Sequence, residues 1–512
     1  NIFLLHDERD IYLSAYSIAH SGKDLYGNVL PIAFDNISPK NPLLSIYYSS
    51  LWTFSPSNSV FMTRLPYVFI STFLIFLVHQ FIYTLTKDKT KSLCTSLVFC
   101  FSPWIFHATR LALEPILAFV LLLSGMILFL NKKRYLAYLL LFLSMATYQA
   151  NRVLVPVLIL YIELFPFIKA ELASKLQLKH IFTTLAFIVI SFGILMSIDF
   201  KISQSRVQDT VFYLPKYSSQ VELKRIQSGG PEVLKKIFVN KAVAAVETAS
   251  LTLFKGFDPS YLFIKGDVSP INGNAVTGQF FPPFFIFFFL GLIAMGPKLK
   301  RVDMFFIGML FISLLPSAVT GDTFALRSML FAVGMAYILA NGIVASGGYL
   351  QHLKKMQRYI VVGIFAIFFV TSLIYFSYGY FFQRPITIGE LFNHSEQSFS
   401  TYAVQHSTKS YTVYTPSTRD LYLSLVYVDP HKDLSTIQTN LNQSLQGAQL
   451  QWNNYRFKVC DEKLNVIKEE NIIVSEKCLK EGLLGEILTK KKYTQLVRYV
   501  GYGDPVAYII KE

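Results

Sequence analysis

Charge is what this chain has least of: 15% of its 512 residues are Asp, Glu, Lys or Arg, against about 25% in an ordinary soluble domain. With 53% hydrophobic residues, 46 Phe and 30 Tyr, a disordered or fibrous chain is excluded. The sequence is too apolar for a water-facing surface, so most of it is expected to dissolve in lipid. Cysteine is scarce too. Of the four, Cys94 and Cys100 lie in an apolar segment and read as packing residues, while Cys460 and Cys478 lie in a polar tail and could pair in an oxidising compartment. There is no internal repeat and no low-complexity tract. The chain opens Asn1-Ile2-Phe3 with no basic n-region before a small-residue cleavage site, so it does not read as a signal peptide. What is in excess is positive charge, +15. A nucleic-acid binder could carry that, and so could a membrane protein with its Lys and Arg on one side.

The position of the charge decides between them. Ten stretches are expected to cross about 30 Å of hydrocarbon as helices, at roughly 64–86, 92–108, 113–130, 135–149, 153–168, 180–198, 280–296, 303–319, 327–346 and 359–382. Alternate connections are basic: Lys87, Lys89 and Lys91, then Lys132, Lys133 and Arg134, then Lys169, Lys175 and Lys179, then Lys298, Lys300 and Arg301, then Lys354, Lys355 and Arg358. The positive-inside rule assigns these to the cytoplasm. Most of the +15 is therefore a topology signal, and no nucleic acid partner is called for. Residues 1–63, the loop 199–279 and the tail then face outward, which predicts a further helix preceding Asn1 and about eleven spans in the whole protein. The expected fold is mainly α: a polytopic transmembrane helical bundle over 1–382, followed by a soluble extracytoplasmic α/β or α+β domain over 383–512. The tail alternates in short runs at 410–414, 421–428, 455–459 and 507–510, with helical patterns near 435–446 and 479–490.

Two groups of residues could carry chemistry. The first is His6-Asp7-Glu8-Arg9-Asp10, ahead of a helix-like stretch with Ile11, Ala15 and Ile18 on one face. Adjacent carboxylates at the membrane boundary suit a general base; acidic residues opening a helix are also ordinary capping chemistry. The second group gathers at the outer mouth: Arg64, Arg110 with Glu114, Arg152, and Asp322 with Arg327. Any one Arg there could simply snorkel to the interface, but four on the side where positive charge is disfavoured suit a phosphate, whose oxygens a guanidinium forks onto. Glu114 is spaced i,i+4 from Arg110 and could orient it. Within 199–279, Lys235 to Lys255 is basic and amphipathic, either an interfacial helix or one packed on the bundle.

The run Asp7-Glu8, Gly22, Gly27, Pro31, Asn41-Pro42-Leu43 and Arg64-Leu65-Pro66 resembles the first outer loop and following helix of the protein O-mannosyltransferase family, glycosyltransferase family 39, and its bacterial relatives. Ser102-Pro103-Trp104 with Arg110 to Pro115, Tyr148 to Val153, Tyr261 to Asp267 through Gly278, and Arg327 are similar to further stretches of those enzymes, in the same order. The resemblance covers about residues 1–345. It implies a type-C glycosyltransferase in the cell membrane that moves a sugar, a mannose-like hexose or a pentose, with inversion from a polyprenyl phosphate to a protein, lipid or glycan acceptor on the extracytoplasmic face. Asp7 would be the base and Glu8 would orient a substrate; Arg64, Arg110, Arg152 and Arg327 would hold the donor phosphate, with Glu114 and Asp322 in support. A divalent cation, Mg²⁺ or Mn²⁺, is left open, because some relatives use one and others do not. The chain departs from the pattern in Lys40-Asn41-Pro42-Leu43, where a double proline is usual, and in having no segment that suggests the sugar-recognition domain of the eukaryotic members. A transporter or flippase for a lipid-linked sugar is the alternative; it would favour repeats and ionisable residues at mid-membrane, and a non-enzymatic scaffold would leave the outer charges unexplained.

Overall fold

The structure, a computed structural model, describes residues 3–34, 43–53, 59–165, 178–296, 300–322, 325–406, 408, 410–431, 433–460, 471–480, 493–497 and 505–510. Lys40, Asn41, Pro42, Lys169, Lys175, Lys298 and most of the helical pattern at 479–490 lie outside these residues. The chain forms two compact units, Tyr67–Tyr380 and a second made of Asn1–Pro66 with Phe381–Glu512. The opening residues thus fold with the tail.

In the first unit the apolar segments are helices because lipid offers the backbone no partner outside the segment. Among the described residues, five helices are long and apolar enough to cross a membrane: Val60–Thr86, Lys179–Ile198, Arg301–Thr320, Ala325–Gln351 and Lys355–Thr387. Over its apolar 18-residue stretch Ala325–Gln351 has 83% of its residues buried and forms the centre of this unit, whereas the corresponding share is 6% in Lys355–Thr387 and 17% in Lys179–Ile198. Apolar helices so little covered by protein must be covered by lipid; this is a multi-pass membrane protein. The other five expected spans are shorter or interrupted. Lys89–Cys100 and Pro103–Ala108 break at Ser102, whose hydroxyl accepts the Ile105 N–H at 3.2 Å and opens the second helix with Pro103 in its first turn. Glu114–Leu130, Arg134–Thr147, Ala150–Leu164 and Pro282–Met295 are shorter than the roughly 20 residues a perpendicular span needs. The central helix packs on Phe285–Met295, Lys89–Cys100 and Arg301–Ser313. Its crossing with Phe285–Met295 is close enough that a Cβ on Gly342 would lie 2.1 Å from the Phe287 carbonyl oxygen, the small-residue contact typical of helices in lipid. Glu163 pairs with Arg134, which accounts for a carboxylate in an apolar helix.

The second unit is built on a six-stranded mixed sheet, β1 Tyr411–Thr415, β2 Gln451–Trp452, β3 Tyr455–Val459, β4 Ile472–Ser475, β5 Tyr493–Val497 and β6 Pro505–Ile510, in the order β2-β3-β1-β4-β6-β5. β1 runs parallel to β3 and β4, and the remaining pairs are antiparallel. A chain that crosses between parallel neighbours through helices is of the α/β kind. The run 421–428, expected as a strand, is instead the helix Thr418–Val428, capped by Ser417 through the Asp420 N–H. It reads apolar on every face because it is covered on every face: Leu421 to Tyr427 are all buried, against His394–Gln405 and His6–Ser21 as well as β3. Cys460 and Cys478 form a disulfide.

Candidate functional site

In the second unit, the acidic run opens the helix His6–Ser21. Glu8 is at its third position and accepts the Leu5 N–H at 3.0 Å, so the capping reading of the run holds for Glu8. The same carboxylate, fully buried, takes the fork of Arg64: Nε to Oε1 and Nη2 to Oε2, both at 2.7 Å. Arg64 also donates to the Phe3 carbonyl at 3.0 Å. The residue before it, Thr63, bonds Tyr427 of the tail at 3.1 Å. Asp7 is half-buried in the same first turn. The structure therefore brings Asp7, Glu8 and Arg64 together, and it places Arg64 on a carboxylate.

Beneath them lies a charge cluster that local sequence does not announce. Arg9, with no exposed surface, donates to the Asp420 carbonyl and the Ser424 hydroxyl at 2.8 Å and to the Asp420 and Asp10 carboxylates at 3.1 and 3.0 Å. Arg419 reaches the other oxygen of Asp10 at 3.0 Å. His6 sits between Asp420 at 3.2 Å and Glu396 at 3.4 Å. Burial opposes charge on His6, but those two carboxylates prevail and hold its pKa up to about 9. Burial likewise opposes charge on Asp420 and Glu396, and His6 outweighs it, holding both carboxyls below their usual range. The raised His6 value contributes stability that is complete below the ordinary histidine pKa of about 6.5 and is lost as pH rises through about 9. The thermal midpoint of the purified protein is therefore expected to fall between pH 7 and pH 9.5, and His6→Gln is expected to flatten that decline; an unchanged slope in the variant would remove His6 as its source.

In the first unit, three segments singled out in the sequence converge. Ala325 opens the short helix Ala325–Ser328 that carries Arg327; its N–H is held by Asp267 at 2.6 Å and its carbonyl by the Trp104 indole at 3.1 Å. Asp267 also accepts the Ser269 N–H at 2.8 Å. Gly273 lies so close that a Cβ there would be 2.6 Å from that of Asp267, which fixes the loop under the helix. The backbone N–H of Trp104 donates to the Gln279 carbonyl at 3.2 Å, and His107 bridges the Ile271 carbonyl at 2.8 Å and the Tyr380 hydroxyl at 2.9 Å. Burial pushes the Asp267 carboxyl up, against the pull of the two N–H groups, Lys255 and Arg327. Asp267, Trp104 and His107 were not legible as site residues: their partners are far away in sequence.

Arg327 donates to the Thr320 hydroxyl at 2.6 Å. Thr320 ends the helix Leu315–Thr320, against which the Arg152 helix Ala150–Leu164 packs. Arg152 is buried and reaches the Met145 carbonyl at 3.3 Å. Asp322 is exposed just after that helix. Arg110 and Glu114 do not share a helix, because a turn separates Pro103–Ala108 from Glu114–Leu130; the Arg110 guanidinium lies over the Phe106 and Tyr380 rings at 5.4 and 5.3 Å. Among the described residues, no group of three or more His, Cys, Asp or Glu side chains is placed to hold a metal ion.

No family model matches the chain, and no curated protein matches it. Among solved structures it is similar to the archaeal oligosaccharyltransferase AglB from Archaeoglobus fulgidus in complex with an inhibitory peptide and a dolichol-phosphate, at 12% identity and a TM-score of 0.44 over 93% of this chain and 66% of that one. It is also similar to the Archaeoglobus fulgidus oligosaccharyltransferase in complex with Zn and sulfate, at 11% identity and a TM-score of 0.41 over 93% of this chain and 64% of that one. The chain spans 66% and 64% of their lengths, just under two thirds of each.

Proposed function

We propose that the chain is a membrane glycosyltransferase of the type-C class that moves a sugar from a polyprenyl phosphate to an acceptor hydroxyl on the extracytoplasmic face, where the tail domain also lies. The observation that carries this reading is the pair of anchored charges at the heads of membrane helices. An acidic turn is tied by Glu8 to Arg64 near the head of Val60–Thr86, and Arg327 stands at the head of Ala325–Gln351 in a backbone knot held by Asp267 and Trp104. Pre-set groups of this kind serve developing charge at little reorganisation cost.

In the reaction, the acceptor oxygen attacks the anomeric carbon, its proton passes to the Asp7 carboxylate, and the bond from the anomeric carbon to the phosphate oxygen breaks with its electron pair leaving on the polyprenyl phosphate. One attack inverts the anomeric centre. Arg327 and Arg152 pair the phosphate charge, with Arg110 and Asp322 beside them. Glu8 and Arg64 hold the turn that bears Asp7, and Arg64 adds positive charge next to it. The sugar, a mannose-like hexose or a pentose, and the acceptor, whether protein, lipid or glycan, are read by mass spectrometry of glycoproteins and glycolipids from cells with and without the protein; identical glycoconjugates in both would overturn the proposal.

Asp267 acts through Arg327. Asp267→Ala leaves the Ala325 N–H buried and unpaired, a cost of about 1–3 kcal/mol, and is expected to raise the donor KM on the order of tenfold with kcat less affected. Asp267→Asn, which keeps an acceptor oxygen, is expected to restore most of it. Equal losses in both variants, or a loss confined to kcat, would contradict the positioning role.

A further inference from the structure

One surface of the first unit is built for a partner other than protein. Glu232–Phe238 buries none of its residues. Around this helix Val233, Leu234, Ile237 and Phe238 occupy one arc and are 50–68% exposed, while Glu232, Lys235 and Lys236 occupy the other. Leu223 and Ile226 of the neighbouring helix Ser218–Gln227 add 56% and 76% exposed apolar surface. Six large hydrophobic side chains on two short consecutive helices are not stable facing water. The protein does hold the other side: Tyr217, Val221, Ala244 and Ala245 form a small core joining Ser218–Gln227 to Lys241–Lys255, and Lys241–Lys255 packs on Leu315–Thr320.

We propose that Ser218–Gln227 and Glu232–Phe238 lie in the membrane–water interface, with this apolar arc among the acyl chains and Lys235 and Lys236 set against anionic headgroups. Charge complementarity identifies the occupant, since the segment from Lys216 to Lys255 holds more basic than acidic residues in a loop that is otherwise expected on the side where Lys and Arg are disfavoured. Glu232–Phe238 and Lys241–Lys255 could also be one broken span, bent by 41°. That alternative would carry Lys235, Lys236 and Lys241 into hydrocarbon at roughly 2.5–3.5 kcal/mol each near its centre, whereas an interfacial position keeps them hydrated. The proposal does not rest on the reaction proposed above.

The test uses the full chain with Cys94 and Cys100 replaced by Ser, the disulfide kept, and Ile237→Cys carrying an environment-sensitive fluorophore, reconstituted in bilayer nanodiscs. Quenching is expected to be strongest with a spin label near the glycerol backbone, weaker with one deep in the acyl chain, and weak with aqueous iodide. Spin-labelled phosphatidylglycerol is expected to quench more than spin-labelled phosphatidylcholine at equal mole fraction. That selectivity is expected to fall roughly fivefold for each of Lys235→Gln and Lys236→Gln, with the thermal midpoint unchanged. Dominant iodide quenching would mean a water-facing surface, dominant deep quenching a re-entrant span, and equal quenching by the two lipids no anionic preference; each overturns the proposal.

Discussion

Asp7→Asn is expected to lower sugar transfer by about 10²–10⁴-fold, the range over which a positioned general base acts, while the protein stays folded and donor binding stays at its wild-type value. The substitution removes a proton acceptor and almost no volume. The adjacent capping and ion-pair bonds belong to Glu8: the Leu5 N–H at 3.0 Å and the Arg64 fork at 2.7 Å. Loss of the Glu8 bonds is read in Glu8→Gln, and the chemical role of Asp7 in the transfer rate of Asp7→Asn. Turnover at the wild-type rate in Asp7→Asn would remove this residue as the base.

The second large effect concerns Arg9. Arg9→Met should destabilise the unit formed by the opening residues and the tail by about 3–5 kcal/mol, because it leaves buried carboxylates without their counter-ion. Asp10 would keep Arg419 at 3.0 Å, and Asp420 would keep His6 at 3.2 Å, yet both lose the cation that joins them. Measured as the thermal midpoint or the onset of proteolysis of the tail, the loss should be partly recovered when Asp10→Leu is added, since removing both partners is less costly than removing one. A single variant as stable as wild type would mean the cluster contributes nothing to holding the two segments together.

How much of this was legible in the sequence follows the range of the forces involved. Apolar length and one-sided charge are local properties, so the membrane helices at 64–86, 180–198, 303–319, 327–346 and 359–382 were readable. The shorter ones differ from the expected lengths because hydropathy does not register a break such as that at Ser102. Thr418–Val428 was misread because a helix buried on all sides loses its amphipathic period, and a run of Leu, Tyr and Val broken only by Ser424 then imitates a strand. Asp7, Glu8 and the outer arginines could be picked out by type and place. Their partners could not: Arg64 finds Glu8 across 56 residues, Ala325 finds Asp267 across 58, and Arg9 finds Asp420 across 411. The four-residue spacing of Arg110 and Glu114 misled about helix alone, because the chain makes a turn between Pro103–Ala108 and Glu114–Leu130.

The central claim is sugar transfer from a lipid phosphate, and a purified, reconstituted system tests it directly. Full-length protein in liposomes carrying a polyprenyl phosphate labelled in its sugar, with an extract of candidate acceptors outside, should release unglycosylated polyprenyl phosphate and place the label on an acceptor with inverted anomeric configuration. Label that remains on the intact lipid and only changes leaflet would contradict the account and identify a flippase.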